Sequence, residues 1–271
     1  MKGSRPFEIE DEREASRWVR EMFGRVAGRY DTVNRVTSFS LDRWWRRVTA
    51  QRLEPILRDP SARVLDLCCG TGDLGLALRR RGPAQVMGSD FCHPMLQQAL
   101  QKGLVPVFEA DALSLPLAGA TFDLITVAFG FRNLANYEAG LREAWRVLKP
   151  GGTLAILEFS TMPNPILRAG YEFYFHRVLP VVAGWITGAR DAYTYLPASV
   201  SKFPAAPELA ARMTDAGFGE VTYERFACGA SGAENTDDTG LRHPSLRGGP
   251  RAFAPNGGPK LKQTAPTLRP R

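Results

Sequence analysis

Val64-Leu65-Asp66-Leu67-Cys68-Cys69-Gly70-Thr71-Gly72-Asp73 is the stretch on which the fold turns. An aliphatic run enters a glycine-rich turn, and Thr71 to Arg80 continues at helical spacing. A strand that passes through glycines into a helix opens a nucleotide-binding βαβ unit. Glycine is needed there because a ligand that approaches the backbone must meet no Cβ, and N–H groups at the helix start face it. Gly70, Gly72 and Gly75 satisfy G-x-G-x-x-G. Asp90 follows about twenty residues on, where a carboxylate can accept from both ribose hydroxyls.

Beyond that stretch, short β-branched runs alternate with helical ones, the pattern of an α/β fold with a mostly parallel sheet and helices on both faces. Strands are expected at 63–67, 85–90, 105–109, 123–128 and 153–159, and helices at 71–80, 94–102 and 137–148. Glu220 to Phe226 reads as a later, antiparallel edge strand. The run after it, Ala230 to Asp238, has no β-branched alternation, so the final strand of such a sheet is expected to be missing. The chain past about residue 228 then reads as divergent, as an out-of-frame segment would be.

Upstream, Trp18, Val19, Met22, Phe23 and Val26 mark the inner stripe of a helix at about 12–28. Arg43-Trp44-Trp45-Arg46-Arg47 leads into a second helix, read either with tryptophan inward and arginine solvated or as a rim that meets membrane or substrate. Residues 1–60 are thus expected to form an N-terminal helical lid and 61–228 the main domain. An aromatic insertion at about 161–205 is expected over its mouth, and 229–271, rich in Gly, Pro and basic residues, reads as a disordered tail.

An apolar fraction of 44% and a charged fraction of 23% suit a soluble globular protein. The longest apolar run, Val178 to Ile186, is broken by Pro180 and Gly184 and is too short to span a membrane. The N-terminus lacks the apolar core of a secretory signal, so the chain is expected to stay in the cytoplasm. Adjacent Cys68 and Cys69 suit neither a disulfide framework nor a metal clip, and the three histidines have no ligand spacing, so reduced thiols and no metal are expected. Of the net charge of +7, a large share falls after Cys228, where seven basic residues face three acidic ones. That weakens a nucleic-acid reading.

The glycine turn alone suits a nicotinamide dinucleotide as well as S-adenosylmethionine. Asp66 before the glycines, Asp111-Ala112 after the third strand, Leu115-Pro116-Leu117, and Phe122-Asp123 opening the fourth strand resemble the Rossmann-like class I methyltransferases, which use S-adenosylmethionine. Arg146 to Ser160, with its Lys-Pro-Gly-Gly core and Glu158 and Ser160, resembles the second signature of the UbiE/MenG quinone-biosynthesis C-methyltransferases. Tyr30-Asp31-Thr32-Val33-Asn34 through Trp45 is similar to their first signature, with Val33, Thr37 and Asp42 departing from it. Phe129-Gly130-Phe131-Arg132-Asn133 and Tyr193-x-Tyr195-Leu196-x-x-Ser199-Val200 fit the same family, so the likeness covers about 17–227.

That resemblance implies C-methylation of a polyprenylated quinol, of the menaquinone or ubiquinone type. The implied cofactor contacts are Asp66, Gly70, Thr71, Gly72, Asp90, Asp111 and Ala112; Ala128 stands where some members have a serine contact. Because a ring carbon attacks a sulfonium methyl only when electron density is pushed into the ring, the reduced quinol must lose a phenolic proton. Arg132 is the candidate to pair with the phenolate or relay its proton. Asn133 would orient the ring, and Tyr30 is a further candidate. The acceptor's lipid tail implies a peripheral membrane surface, a homodimer is a permitted assembly, and no nucleic acid is implied. A nicotinamide oxidoreductase and an RNA methyltransferase remain the competing readings.

Overall fold

A computed structural model describes residues 3, 9–38, 40–159, 177, 190–224, 226, 230–231 and 251–253. Four helices precede the sheet: α1 (Glu12–Val26), α2 (Tyr30–Thr37), α3 (Leu41–Arg52) and α4 (Glu54–Leu57). Asp11 caps α1 by accepting from the Glu14 N–H, and Ala15, Val19, Met22 and Val26 bury its inner face. The expected helix therefore ends two residues early, in a 3₁₀ turn over Ala27–Arg29.

The sheet begins with β1 (Arg63–Leu67), β2 (Gln85–Asp90), β3 (Val107–Glu109), β4 (Phe122–Ala128) and β5 (Leu148–Phe159). The connecting helices are α5 (Asp73–Arg79), α6 (His93–Gln101) and α7 (Tyr137–Val147). These five strands are parallel and lie in the order β3-β2-β1-β4-β5. The chain leaves β1 toward β2 and β3, then returns to β4 on the other side. The switch point between β1 and β4 is where a ligand crevice opens in such sheets. β5 starts earlier than expected, because Leu148 already pairs with Phe122 before a register shift. The central strands are buried on both faces: Leu65, Ile125 and Leu154 on one face and Val64 and Leu124 on the other are 0% exposed, as a sheet covered by helices requires.

Two helices follow, α8 (Arg190–Lys202) and α9 (Ala206–Asp215), then β6 (Val221–Thr222), β7 (Ala230–Ser231) and β8 (Arg251–Phe253). Two expectations are corrected here. β6 is parallel, not antiparallel, to the strand beside it, and it is only two residues long; entry through the helix α9 returns the chain in the parallel sense. The slot between β5 and β6 is not empty either. β8 sits in it, with Leu154 opposite Ala252 and Val221 also opposite Ala252, while β7 pairs antiparallel with the end of β5. A strand needs only backbone N–H and C=O groups to join a ladder, so the missing side-chain pattern did not exclude it. The rest of the expected tail, and most of the aromatic insertion, lie outside the described residues. Of the insertion, Tyr195 packs 5.3 Å from Trp18 and Phe203 lies 5.5 Å from Tyr137, ring centre to ring centre. Among the described residues no helix is long and apolar enough to cross a membrane.

Candidate active site

A pocket opens at the carboxyl ends of β1, β2 and β4 and is roofed by α1 and α2. The turn that follows β1 is held in place by the acids expected to bind cofactor. Asp90 ends β2; its Oδ2 accepts from the Gly70 N–H at 2.9 Å and its Oδ1 from the Cys92 N–H at 2.9 Å. A carboxylate offers about four lone-pair sites, so capacity remains for a hydroxyl donor. Burial pushes the Asp90 carboxyl up to about 6, against the backbone hydrogen bonds from Cys92, Gly70 and Phe91.

Asp66, 1% exposed, stands on the wall with both oxygens engaged. Oδ2 accepts from the Gly75 N–H at 2.8 Å and Oδ1 from the Thr126 hydroxyl at 3.0 Å, so it ties α5 and β4 to β1. Burial raises it to about 7.

Gly70 has φ +54° and lines the pocket with no atom within 4 Å of where a Cβ would sit, an open approach for a ligand. Gly72 plays a different part. It does not line the pocket, and at φ +83° a Cβ would lie 3.1 Å from that of Ala99, so it lets the turn pack on α6. Thr71 lines the pocket, but its hydroxyl donates to Asp31 Oδ1 at 2.7 Å and accepts from Lys102 Nζ at 2.9 Å. Lys102 also pairs with Asp31 and Asp73, so the start of α2 is fastened to the glycine turn. Asp111 and Ala112 line the far end beyond β3, where Asp111 accepts from the Leu113 N–H and Ala112 is buried.

At the opposite end the chain leaves β4 through Ala128, which lines the pocket, and Phe129, held at φ +59°; Cys68, at the end of β1, has φ +54°. Two non-glycine residues in this region at neighbouring strand ends mark local strain beside the pocket. Gly130 permits the approach: a Cβ there would lie 2.5 Å from Cys68 Cβ. Tyr30, the first residue of α2, lines the pocket with its ring 5.9 Å from Phe23. Asn133 also lines it. Its Nδ2 donates to the Phe129 carbonyl at 3.4 Å, while its Oδ1 is buried without a hydrogen-bond partner.

Arg132 is placed differently from its neighbour. It is 3% exposed and does not line the pocket; Nη1 donates to both Glu158 oxygens, at 2.9 and 2.8 Å, and to the Phe129 carbonyl at 2.6 Å. Its guanidinium lies 5.4 Å from the centre of the Phe159 ring. Glu158, 1% exposed, is pushed up by burial and drawn down by Arg132, and burial prevails. Among the residues that line the pocket unforeseen are Phe23, Arg46, Asp73, Phe91 and Met95. Helical spacing placed Phe23 in the core stripe, and the Asp42–Arg46 interval of four was the signal available for Arg46.

The donor set fits S-adenosylmethionine. Free lone pairs on Asp90 suit a ribose diol, the acid at Asp111 suits an amino group, and the open cradle at Gly70 admits close backbone contact. Among the described residues no three His, Cys, Asp or Glu side chains gather as a metal site requires.

Comparison with known proteins is consistent with this geometry. In fold, the chain is similar to an S-adenosylmethionine-dependent methyltransferase, possible histamine N-methyltransferase, from Thermotoga maritima, with TM-score 0.53 and 21% identity over 86% of this chain and 95% of that one. The putative methyltransferase solved with the Haloferax volcanii Trm112 activator gives TM-score 0.53 and 19% identity, covering 82% and 83%. In sequence, it is 48% identical over 216 residues to a demethylmenaquinone methyltransferase of Thermus thermophilus, covering 78% of this chain and 96% of the relative. One from Deinococcus radiodurans is 43% identical, with 83% and 94% covered. A ubiquinone/menaquinone biosynthesis C-methyltransferase of Geotalea daltonii is 40% identical, with 78% and 92% covered. The profile of the ubiE/COQ5 methyltransferase family matches residues 9–236, from just before α1 to just past β7. The chain belongs to the ubiE/COQ5 methyltransferase family.

Proposed function

We propose that this chain methylates a ring carbon of reduced, prenylated demethylmenaquinol. When bound, S-adenosylmethionine supplies an electrophilic sulfonium methyl. The observation that carries the reading is the buried, unpartnered Oδ1 of Asn133 on the wall of the pocket that Tyr30 also lines. A buried acceptor without a donor costs about 1–3 kcal/mol, and a quinol hydroxyl would satisfy it. That bond would fix the ring so that its nucleophilic carbon faces the methyl, with Phe23 and Met95 giving an apolar wall. Alignment of two reactants is worth up to about 7–11 kcal/mol, so most of the rate is assigned to positioning.

Arg132 acts, in this reading, through the turn that it holds. Bonded to Glu158 and to the Phe129 carbonyl, it fixes the segment that presents Phe129 and Asn133. The prenyl tail of the acceptor lies in a bilayer, and Arg35, Arg43, Arg47, Arg80 and Arg81 converge on one groove, with Trp44 44% exposed on the same helix α3 as Arg43 and Arg47. This supports a peripheral approach to anionic lipid. The test is the oxidation state of the acceptor: turnover with demethylmenaquinol kept reduced and none with the oxidised quinone. Equal turnover of both would refute the mechanism.

A further inference from the structure

Four carboxylates line the pocket, Asp66, Asp73, Asp90 and Asp111, and Arg46 is the one basic side chain among the described residues that does so. The cofactor carries an α-carboxylate, which four acids would repel unless a cation stood beside it. Arg46, on α3, is 8% exposed, and its guanidinium carbon lies 5.1 Å from the centre of the Phe129 ring. Phe129 marks the end of the pocket at β4, away from Asp90 and Asp111, which leaves this end to the amino-acid part of the ligand. Asp42 holds Arg46 through one nitrogen, Nη1, at 2.5 Å, and Asp42 is itself fixed by the Ser38 hydroxyl at 2.8 Å. A guanidinium has five N–H donors, so a second carboxylate can be taken without giving up the first.

We infer that Arg46 binds the amino-acid carboxylate of S-adenosylmethionine, with Asp42 as the residue that positions it. Neither residue is needed for the chemistry at the ring, so the effect belongs to cofactor binding. An ordinary i,i+4 ion pair that only staples α3 is the competing account.

Calorimetry on the full chain separates the two, with S-adenosylhomocysteine and its decarboxylated analogue, S-adenosylthiopropylamine, as probes. The wild-type protein is expected to prefer the carboxylate-bearing ligand by about ten- to a hundredfold, the size of a charge-assisted contact. Arg46→Gln should erase that preference while leaving the affinity for the decarboxylated analogue within a few-fold. Should Arg46→Gln fail to fold, Asp42→Asn, which frees the guanidinium, is expected to increase the preference. Equal wild-type affinity for the two ligands, or an equal loss toward both in Arg46→Gln, or an unchanged preference in Asp42→Asn, overturns the inference. No binding of S-adenosylhomocysteine at all would overturn the cofactor assignment itself.

Discussion

Replacing Arg132 by methionine would leave Glu158 ionised or neutral in a site where it is 1% exposed, with its principal partner gone. Both Glu158 oxygens now accept from Arg132 Nη1, at 2.9 and 2.8 Å, and Phe159 N–H adds a bond at 3.1 Å. Breaking a buried pair from one side costs about 3–5 kcal/mol, because the remaining group keeps its desolvation penalty. Glu158→Leu should cost a similar amount by stranding the guanidinium. Against a domain stability of about 5–15 kcal/mol, either change moves the denaturant midpoint far. The double variant Arg132→Met/Glu158→Leu should recover most of the loss, because no unpaired charge remains. It should still turn over poorly, since the bond from Arg132 to the Phe129 carbonyl is gone, while affinity for S-adenosylhomocysteine stays within a few-fold. Urea melts of the four proteins make the cycle. Single variants that each lose less than about 1 kcal/mol, and add in the double, would refute the claim that this pair holds the turn that presents Phe129 and Asn133.

The acids of the pocket give a pH dependence of definite sign. Burial raises Asp66 to about 7 and Asp90 to about 6, from 3.8. The folded state thus holds their protons more tightly than the unfolded one. Their contribution to stability is complete below about pH 4 and is lost as pH rises through 6 and then 7. The ligand-free melting temperature should fall between pH 5 and 8; a rise over that interval contradicts the assignment. Cofactor affinity is expected to run the other way, because in the proposed site it is the ionised Asp90 that would accept from both ribose hydroxyls. Calorimetric affinity for S-adenosylhomocysteine should weaken as pH drops through about 6, and Asp90→Asn should flatten that profile. Flotation with anionic liposomes at low salt should carry the protein upward and release it at high salt, with Arg43→Gln/Arg47→Gln reducing the effect; no co-migration at low salt removes the membrane surface as a partner. Ala252→Pro removes an N–H from β8, which pairs with β5 and β6 on its two sides, and should lower the melting temperature. An unchanged value would mean that β8 adds nothing to the sheet.

Much of the sheet was legible because its signal is local. Val64 to Asp73 carries strand, turn and helix start in ten residues, and β1 and β2 fall where the apolar runs end. The early start of β5 was hidden because Lys149-Pro150-Gly151-Gly152 has the composition of a turn, whereas its pairing depends on β4 lying alongside. The third strand lost Val105 and Pro106 from its start for the converse reason: proline donates no N–H to a ladder. At the site, residue type singled out the acids but not where their oxygens point. Asp90 and Asp111 keep free capacity at the pocket, whereas both oxygens of Asp66 are spent on Gly75 and Thr126. Arg132 and Asn133 are neighbours in the chain, yet the 3₁₀ turn Phe131–Asn133 sends one toward Glu158 and the other to the pocket. Such a division depends on side-chain direction in a single turn, which no spacing encodes. Arg46 stayed hidden in a basic run because the Phe129 ring that it faces is more than eighty residues away.

The central claim is C-methylation of a demethylated quinol, and transfer of a labelled methyl group tests it most directly. The purified full-length chain would be given methyl-labelled S-adenosylmethionine and, in separate reactions, reduced demethylmenaquinol, the corresponding benzoquinol and bulk RNA. Label on a ring carbon of the naphthoquinol, with S-adenosylhomocysteine formed in equal amount and none on RNA, is the predicted result. Label on RNA, or no transfer to either quinol by protein that melts cooperatively and binds S-adenosylhomocysteine, would contradict it.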